Sequence, residues 1–142
     1  MYKPTHFELE ELVNPLMILA IGQTNCWLRL DEGCLRDLDT IRKEWGGVIY
    51  INGVFGGVVF DSRGYRTPDD KDGAFWSVHK QGKAFDLVPK DGDAKNLYLM
   101  IYSLILAGKL TSFNTLEDAK YTKTWVHVAK MNTNERPLVI KP

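Results

Sequence analysis

Cysteine is scarce in this chain, whose 142 residues include only Cys26 and Cys34. Two cysteines cannot build the dense disulfide framework of a small secreted domain. Their spacing also differs from the Cys-x-x-Cys pattern that is typical of zinc and redox sites. We therefore expect two reduced, buried thiols that take no part in a metal site, with a single disulfide as the alternative.

An excess of charge of one sign and long apolar runs are also missing. Lys and Arg number 18, as do Asp and Glu, so the formal net charge is zero and gives no indication of a nucleic-acid partner. The apolar run from Pro15 to Ile21 is too short to span a bilayer. Glu8, Glu10 and Glu11 stand where a secretion signal would be basic. We expect a cytoplasmic protein without a membrane span, or one released at lysis or carried on a phage particle.

No repeat, low-complexity tract or long linker divides the chain, so we expect one domain over residues 1–142. Periodicity and capping residues predict helices over 5–18 (interrupted at Pro15), over 32–45 (between Asp31 and Gly46), and from Asp91 or Asp93 to Ala107. Strands are predicted over 48–52, 83–88, 113–117 and 124–130, with a long irregular segment over 53–73. This order favours an α+β domain, with a small antiparallel sheet and helices packed on one side.

Three residues that are far apart in the sequence could share a metal ion. His79 immediately precedes the predicted strand that carries Asp86, and His127 lies in the middle of the last predicted strand. Two imidazoles and a carboxylate suit Zn²⁺, and three protein ligands leave a fourth position open, as in catalytic zinc sites. A histidine in a strand is more often a buried, hydrogen-bonded side chain, and no His-Glu-x-x-His motif is present. The remaining histidine, His6, has no plausible partner.

The residues around the first two candidate ligands form a more specific pattern. Segment 77–86 reads Ser-Val-His-Lys-Gln-Gly-Lys-Ala-Phe-Asp, which has the form Ser-x-His-x-x-Gly-x-Ala-x-Asp. Gly82 allows a tight turn with positive φ between the two ligands. Ala84 lies on the same strand face as Asp86 and is small enough to sit close to a metal ion.

This pattern resembles the zinc peptidases that include D-alanyl-D-alanine carboxypeptidases, the L-alanyl-D-glutamate endopeptidases of phage endolysins, and the hedgehog signalling domain. The segment Arg63-Gly64-Tyr65-Arg66 is similar to the family's Ser-Gly-Tyr-Arg stretch, and Trp125-Val126-His127 is similar to its closing Trp-x-His segment. The resemblance covers nearly the whole chain. It implies a hedgehog-type fold, Zn²⁺ held by His79, Asp86 and His127, and hydrolysis of stem or cross-link peptides of bacterial peptidoglycan.

The resemblance also implies a role for Arg66, which would contact a carbonyl or carboxylate of the substrate near the metal. A fixed guanidinium at that position would stabilise the oxyanion that forms when a peptide bond is attacked. The alternative is a solvated loop arginine, which is what we expect of Arg63.

The chain departs from the family pattern at the general base. Many members carry Glu or Asp three residues before the last ligand, where this chain has Thr124, and some carry Asp where it has Ala129. We favour Glu117 as the base, with Asp118 as the alternative, because both end the strand that should pair with the strand of His127. Both could instead be surface turn residues. Without a base, the chain would be a non-catalytic zinc-containing binding module or structural phage component.

Overall fold

The chain folds into an α+β arrangement, in a computed structural model that describes residues 1–55, 58–66 and 78–142. Within these ranges the helices are α1 (Leu9–Leu12), α2 (Pro15–Ile21), α3 (Gln23–Arg29), α4 (Glu32–Trp45) and α5 (Ala94–Leu106). The strands are β1 (Ile49–Tyr50), β2 (Gly53–Phe55), β3 (Val58–Phe60), β4 (Ala84–Pro89), β5 (Thr115–Glu117), β6 (Val126–Ala129) and β7 (Leu138–Ile140). A short 3₁₀ turn spans Val78–Gln81. The α+β class is as predicted.

In the described residues, five strands form one sheet in the order β1-β4-β6-β5-β7, and β2 and β3 form a separate hairpin. All neighbours in the larger sheet are antiparallel except β5 and β7, so the prediction of a purely antiparallel sheet was wrong. The reason lies in the chain path after β6, which ends where Ala129 pairs with Thr115 at the start of β5. The chain crosses that same end, where the Leu138 N–H donates to the Asn114 carbonyl at 2.8 Å. Strand β7 therefore runs in the direction of β5.

The N-terminal helix predicted over 5–18 is two helices, α1 and α2, and α3 was not predicted. Asn14 separates the first two, because its side chain accepts the Leu16 N–H at 2.9 Å and caps α2. Pro15 occupies the first turn of α2, where its missing N–H has no consequence. Pro15 thus begins a helix instead of interrupting one. Gly22, with φ of 81°, then ends α2 and precedes α3.

The two long helices lie where capping residues predicted them. Asp31 accepts the Cys34 N–H at 3.0 Å at the start of α4, which Gly46 ends in the left-handed conformation. Asp93, one of the two predicted caps, accepts the Asn96 N–H at 3.1 Å at the start of α5. Each helix therefore begins with a side chain that satisfies a free backbone donor.

The hydrophobic core lies between α5 and one face of the larger sheet. Helix α5 contacts β4 and β6, and α4 contacts α5. Fully buried side chains there include Leu38, Ile41, Phe85, Leu97, Ile101 and Val128. Cys26 and Cys34 are also buried and carry free thiols. In the part of the chain that the structure describes, no helix is both long enough and apolar enough to cross a membrane.

The segment predicted to be irregular, 53–73, includes the β2–β3 hairpin in its described part. Residues 56–57 and 67–73 of that prediction lie outside the described residues. The hairpin leads into a loop over 61–66. This loop runs beside the end of α1, where Val13 and Tyr65 form a parallel bridge. This loop carries Arg63 and Arg66 toward β4.

Candidate metal centre

Asp86 and His127 face each other on the two central strands of the sheet. The register of β4 and β6 pairs Asp86 with His127, and pairs the preceding Phe85 with Val128. Phe85 and Val128 are fully buried in the core, so strand alternation places Asp86 and His127 together on the opposite face. The Nδ1 atom of His127 lies 2.8 Å from Oδ1 of Asp86.

His79 reaches this pair from the 3₁₀ turn that precedes β4. The turn closes through Gly82, whose N–H donates to the His79 carbonyl at 3.2 Å. Gly82 has φ of +67°, and a Cβ there would lie 2.3 Å from the Arg29 carbonyl oxygen, so both conformation and packing require glycine. The predicted tight turn is confirmed. It brings Nε2 of His79 to 3.3 Å from Nδ1 of His127 and 3.5 Å from Oδ1 of Asp86.

The three predicted ligands therefore converge, with one possible ligand atom from each lying within 4.8 Å of the others. Zinc–ligand bonds of about 2.0–2.1 Å separate neighbouring ligands of a tetrahedron by about 3.3 Å. The two separations from Nε2 of His79, 3.3 and 3.5 Å, agree with that spacing. His127 Nδ1 and Asp86 Oδ1, 2.8 Å apart, are at hydrogen-bond distance and would have to separate slightly to bind one ion. Among the described residues this is the one cluster of at least three His, Cys, Asp or Glu that could hold a metal ion.

The protonation of the cluster also suits a metal. The Nδ1–H of His79 donates to the Gly64 carbonyl at 3.1 Å, which directs the Nε2 lone pair into the cluster. Burial lowers the pKa of His79, so this imidazole is neutral at neutral pH. Burial alone would raise the pKa of Asp86, but the hydrogen bond with His127 outweighs burial and holds that pKa below its ordinary range. A neutral imidazole at His79 and an ionised carboxylate at Asp86 are the forms that bind metal ions.

Arg66 lies beside the cluster and is not a solvated loop residue, since its side chain is only 11% exposed. Its Nη2 atom lies 3.6 Å from Oδ2 of Asp86, and its Nε–H donates to the Ser62 carbonyl. The backbone N–H of Arg66 also donates to the His79 carbonyl at 3.3 Å. The expectation that Arg63 is solvated was wrong, because Arg63 is half-buried and its pKa is lowered by burial, which the charge of Asp86 opposes.

Glu117 ends β5, which pairs with the strand of His127 as predicted. The pairing of β5 with β6 ends at Leu116 with Val128, one residue short of Glu117 and His127. Leu116 belongs to the buried core, and alternation then places Glu117 on the face that carries His127 and Asp86. Glu117 is half-buried, and it is not one of the three residues whose ligand atoms form the cluster.

Asp118 and Thr124 occupy the connection between β5 and β6. The side chain of Asp118 accepts the Lys120 N–H at 3.0 Å, and its carbonyl accepts the Tyr121 N–H at 3.0 Å, so Asp118 begins the turn as expected. Thr124 is exposed. Of the two candidate bases, only Glu117 lies on β5, the strand that pairs with the strand of His127.

Two supports of the site were not predicted. Asn52 accepts the N–H groups of Arg63 and Gly64 on its side-chain oxygen, and the carbonyl of Gly64 orients His79. An Asn-Gly pair is a turn signal, so the Asn52-Gly53 sequence does not indicate a buried acceptor. A backbone carbonyl leaves no signal in the sequence at all.

His6 takes no part in the cluster. It lies against Asp39, with 3.0 Å between Nδ1 and Oδ1, a pairing that the sequence did not predict. Ser77, the first residue of the ligand pattern, lies outside the described residues.

Comparison with known proteins finds no family model, no curated protein and no solved structure that matches this chain. The resemblance to zinc peptidases therefore depends on the motif residues alone. Three of those residues form the buried cluster described above.

Proposed function

We propose that this chain is a zinc-dependent peptidase that hydrolyses stem or cross-link peptides of bacterial peptidoglycan. The observation that carries the proposal is the convergence of His79, Asp86 and His127, which a peptidase-like pattern predicts as metal ligands and which lie as much as 48 residues apart. Two imidazoles and one carboxylate form a donor set that zinc accepts. The motif resemblance, not the geometry, supplies the substrate class.

Two of the three proposed ligands keep some exposure to solvent. The side chains of Asp86 and His127 remain 14% and 11% exposed, whereas that of His79 is 4% exposed. Three ligands leave one tetrahedral position for water or substrate, and bound zinc would polarise a carbonyl group and acidify a water molecule. His79 is thus the most deeply buried of the three side chains.

Glu117 is the residue that we assign as general base. It ends β5, the strand next to that of His127, and strand alternation places it on the sheet face of His127 and Asp86. Its carboxylate can accept a proton from the attacking water and return it to the leaving amine. Thr124, at the position of the family's acid, has no group that could do this. Asp118 already uses its carboxylate within the turn.

Arg66 supplies the positive charge for the transition state. The contact with Oδ2 of Asp86 and the bond to the Ser62 carbonyl fix the guanidinium beside the cluster. A fixed guanidinium stabilises an oxyanion without reorganising during the reaction. The same group can hold a carboxylate of the substrate by paired hydrogen bonds.

The experiment that tests this proposal is the release of new amino termini from purified peptidoglycan by zinc-loaded protein. We expect release that EDTA abolishes, and no release by Glu117→Gln, which should still bind zinc. Asp118→Asn is the matched control and should retain turnover. Loss of turnover in Asp118→Asn alone would transfer the role of base to Asp118, and no release from several wall types would reject a peptidase.

One observation favours a second function. Thr124, at the position where the family carries its acid, is exposed and cannot act as a base. A zinc-containing module that binds peptidoglycan or forms part of a phage structure would need no base. Zinc-loaded protein that binds peptidoglycan sacculi without releasing amino termini would support this second function.

A further inference from the structure

Asn52 supports two metal ligands at once, although it contacts neither side chain. We propose that Asn52 is a positioning residue of the metal centre, which holds the Arg63–Gly64 backbone in place so that this backbone orients His79 and Asp86. The inference rests on the proposed metal-binding function and adds a residue that the motif resemblance does not contain.

The hydrogen bonds form two short relays. The side-chain oxygen of Asn52 accepts the N–H of Arg63 at 2.9 Å and the N–H of Gly64 at 3.3 Å. The carbonyl of Arg63 accepts the backbone N–H of Asp86 at 2.7 Å, and the carbonyl of Gly64 accepts the ring N–H of His79 at 3.1 Å. Each of the two loop residues therefore donates to Asn52 and accepts from a metal ligand.

The 61–66 loop and Asn52 both hydrogen-bond to backbone carbonyls of helix α1. The backbone N–H of Asn52 donates to the Glu11 carbonyl at 2.9 Å, and that of Tyr65 donates to the Leu12 carbonyl at 2.7 Å. Gly64 packs so closely that a Cβ would lie 2.1 Å from the Leu12 oxygen. Helix α1 therefore covers one side of the loop. The N–H groups of Arg63 and Gly64 depend on Asn52 as their acceptor, because a buried donor without an acceptor is costly.

The acceptor oxygen is the part of Asn52 that this role requires. Asn52 is only 2% exposed, and in the described part of the chain its amide nitrogen is buried without a hydrogen-bond partner. An aspartate would offer the same oxygen in the same place, whereas a leucine of similar size would offer none. Rescue by Asp but not by Leu would therefore identify the oxygen as the active group.

The test compares wild type, Asn52→Leu and Asn52→Asp by competitive zinc titration and by the absorption spectrum of the cobalt-substituted protein. We expect Asn52→Leu to lose about 10–100-fold in zinc affinity, as loss of outer-shell support does in other zinc sites. Its cobalt spectrum should also change, because the ring of His79 is no longer held. Asn52→Asp should keep the wild-type spectrum and an affinity close to wild type.

Asn114→Leu is the matched control. Asn114 is also a buried asparagine, 5% exposed, and it exchanges two hydrogen bonds with the backbone of Met131, with no bond to the Arg63–Gly64 loop. We expect this variant to lose stability in urea unfolding but to keep its zinc affinity and cobalt spectrum. Equal loss of affinity in Asn52→Leu and Asn114→Leu would show a general structural effect and overturn the inference.

The outcomes separate the inference from the proposed function. Wild-type protein that binds no zinc would reject the metal site itself. Zinc-binding wild type with an Asn52→Leu variant of equal affinity, or with no rescue by Asn52→Asp, would overturn only the role of Asn52. If Asn52→Leu does not fold, hydrogen exchange of the Arg63 and Gly64 amides in zinc-loaded wild type decides. Slow exchange of both supports the inference, and exchange as fast as in an exposed loop overturns it.

Discussion

Arg66 connects the metal cluster to the backbone of its own loop. An ammonium group cannot reproduce the planar fork that contacts both the Ser62 carbonyl and Asp86. We predict that Arg66→Lys lowers kcat/KM on peptidoglycan peptides by about 10²–10³-fold and zinc affinity by less than about 10-fold. Steady-state amine release and zinc titration on the same preparation measure both. An unchanged kcat/KM would remove Arg66 from the catalytic assignment.

At this scale, the sequence predicted residues whose chemistry is rare and missed those whose chemistry is common. Histidines are few, and a spaced pattern of His, Gly and Asp marks the candidate ligands before any fold is known. The role of Asn52 was missed, because asparagine before glycine is common in turns and does not mark a buried acceptor. The pairing of His6 with Asp39 joins residues 33 positions apart, and only the fold brings them together.

At the scale of elements, the 3₁₀ turn between two ligands depends on one glycine. Gly82 and Gly108 have nearly the same positive φ, +67° and +73°, but a Cβ at Gly108 meets nothing within 4 Å. We predict that Gly108→Ala lowers the free energy of unfolding by about 1–2 kcal/mol through conformational strain alone. Gly82→Ala should lower it further and weaken zinc binding, because the added Cβ meets the Arg29 carbonyl.

Urea unfolding and zinc titration of the two alanine variants check this prediction. Equal losses of stability, with zinc affinity unchanged in Gly82→Ala, would show that the contact with Arg29 does not constrain the turn. The comparison is direct because backbone strain is matched and only the packing differs.

Element positions were predictable where local chemistry decides them. Helices α4 and α5 follow from Asp31, Gly46 and Asp93, which act on the residues next to them. The break between α1 and α2 was misread because a proline can either interrupt a helix or begin one. Here Asn14 caps α2, so Pro15 begins that helix. Strand β7 was missed because three residues at a sheet edge carry too short a pattern.

At the scale of the whole molecule, an ion pair joins the start of α4 to the end of β6. Lys130 Nζ lies 2.8 Å from Oδ2 of Asp31. Burial would raise the pKa of Asp31, but Lys130 and the Cys34 N–H outweigh it and lower that pKa, while the hydrogen bond to Asp31 raises the pKa of Lys130. A carboxylate whose folded pKa is depressed stabilises the fold above its unfolded pKa, and this stability is lost as the pH falls through the folded pKa.

We predict that wild type is more stable than Asp31→Asn by about 1 kcal/mol at about pH 7. Asparagine also caps helices, so the substitution removes the ion pair and spares the cap. The difference should shrink as the pH falls below about 4, the ordinary pKa of Asp, and vanish below the folded pKa. Urea unfolding of both proteins across this range measures it, and a difference that stays constant in acid would contradict the linkage.

The mixed sheet also belongs to this scale. Its parallel pair, β5 and β7, results from the chain crossing one end of the sheet after β6, a path that no local pattern describes. The pairing of Asp86 with His127 has the same origin, because it depends on the register of two strands that are far apart in the sequence. Sequence could propose these residues one by one, but only the assembled sheet aligns them.

The most direct measurement is the zinc content of the purified protein after zinc loading and removal of excess metal. We predict stoichiometric zinc in wild type and in the control variant His6→Ala, and loss of zinc in His79→Ala. A rise in thermal stability with added zinc, absent in His79→Ala, should accompany it. Folded wild type that takes up no zinc, or His79→Ala that keeps it, would contradict a metal centre formed by His79, Asp86 and His127.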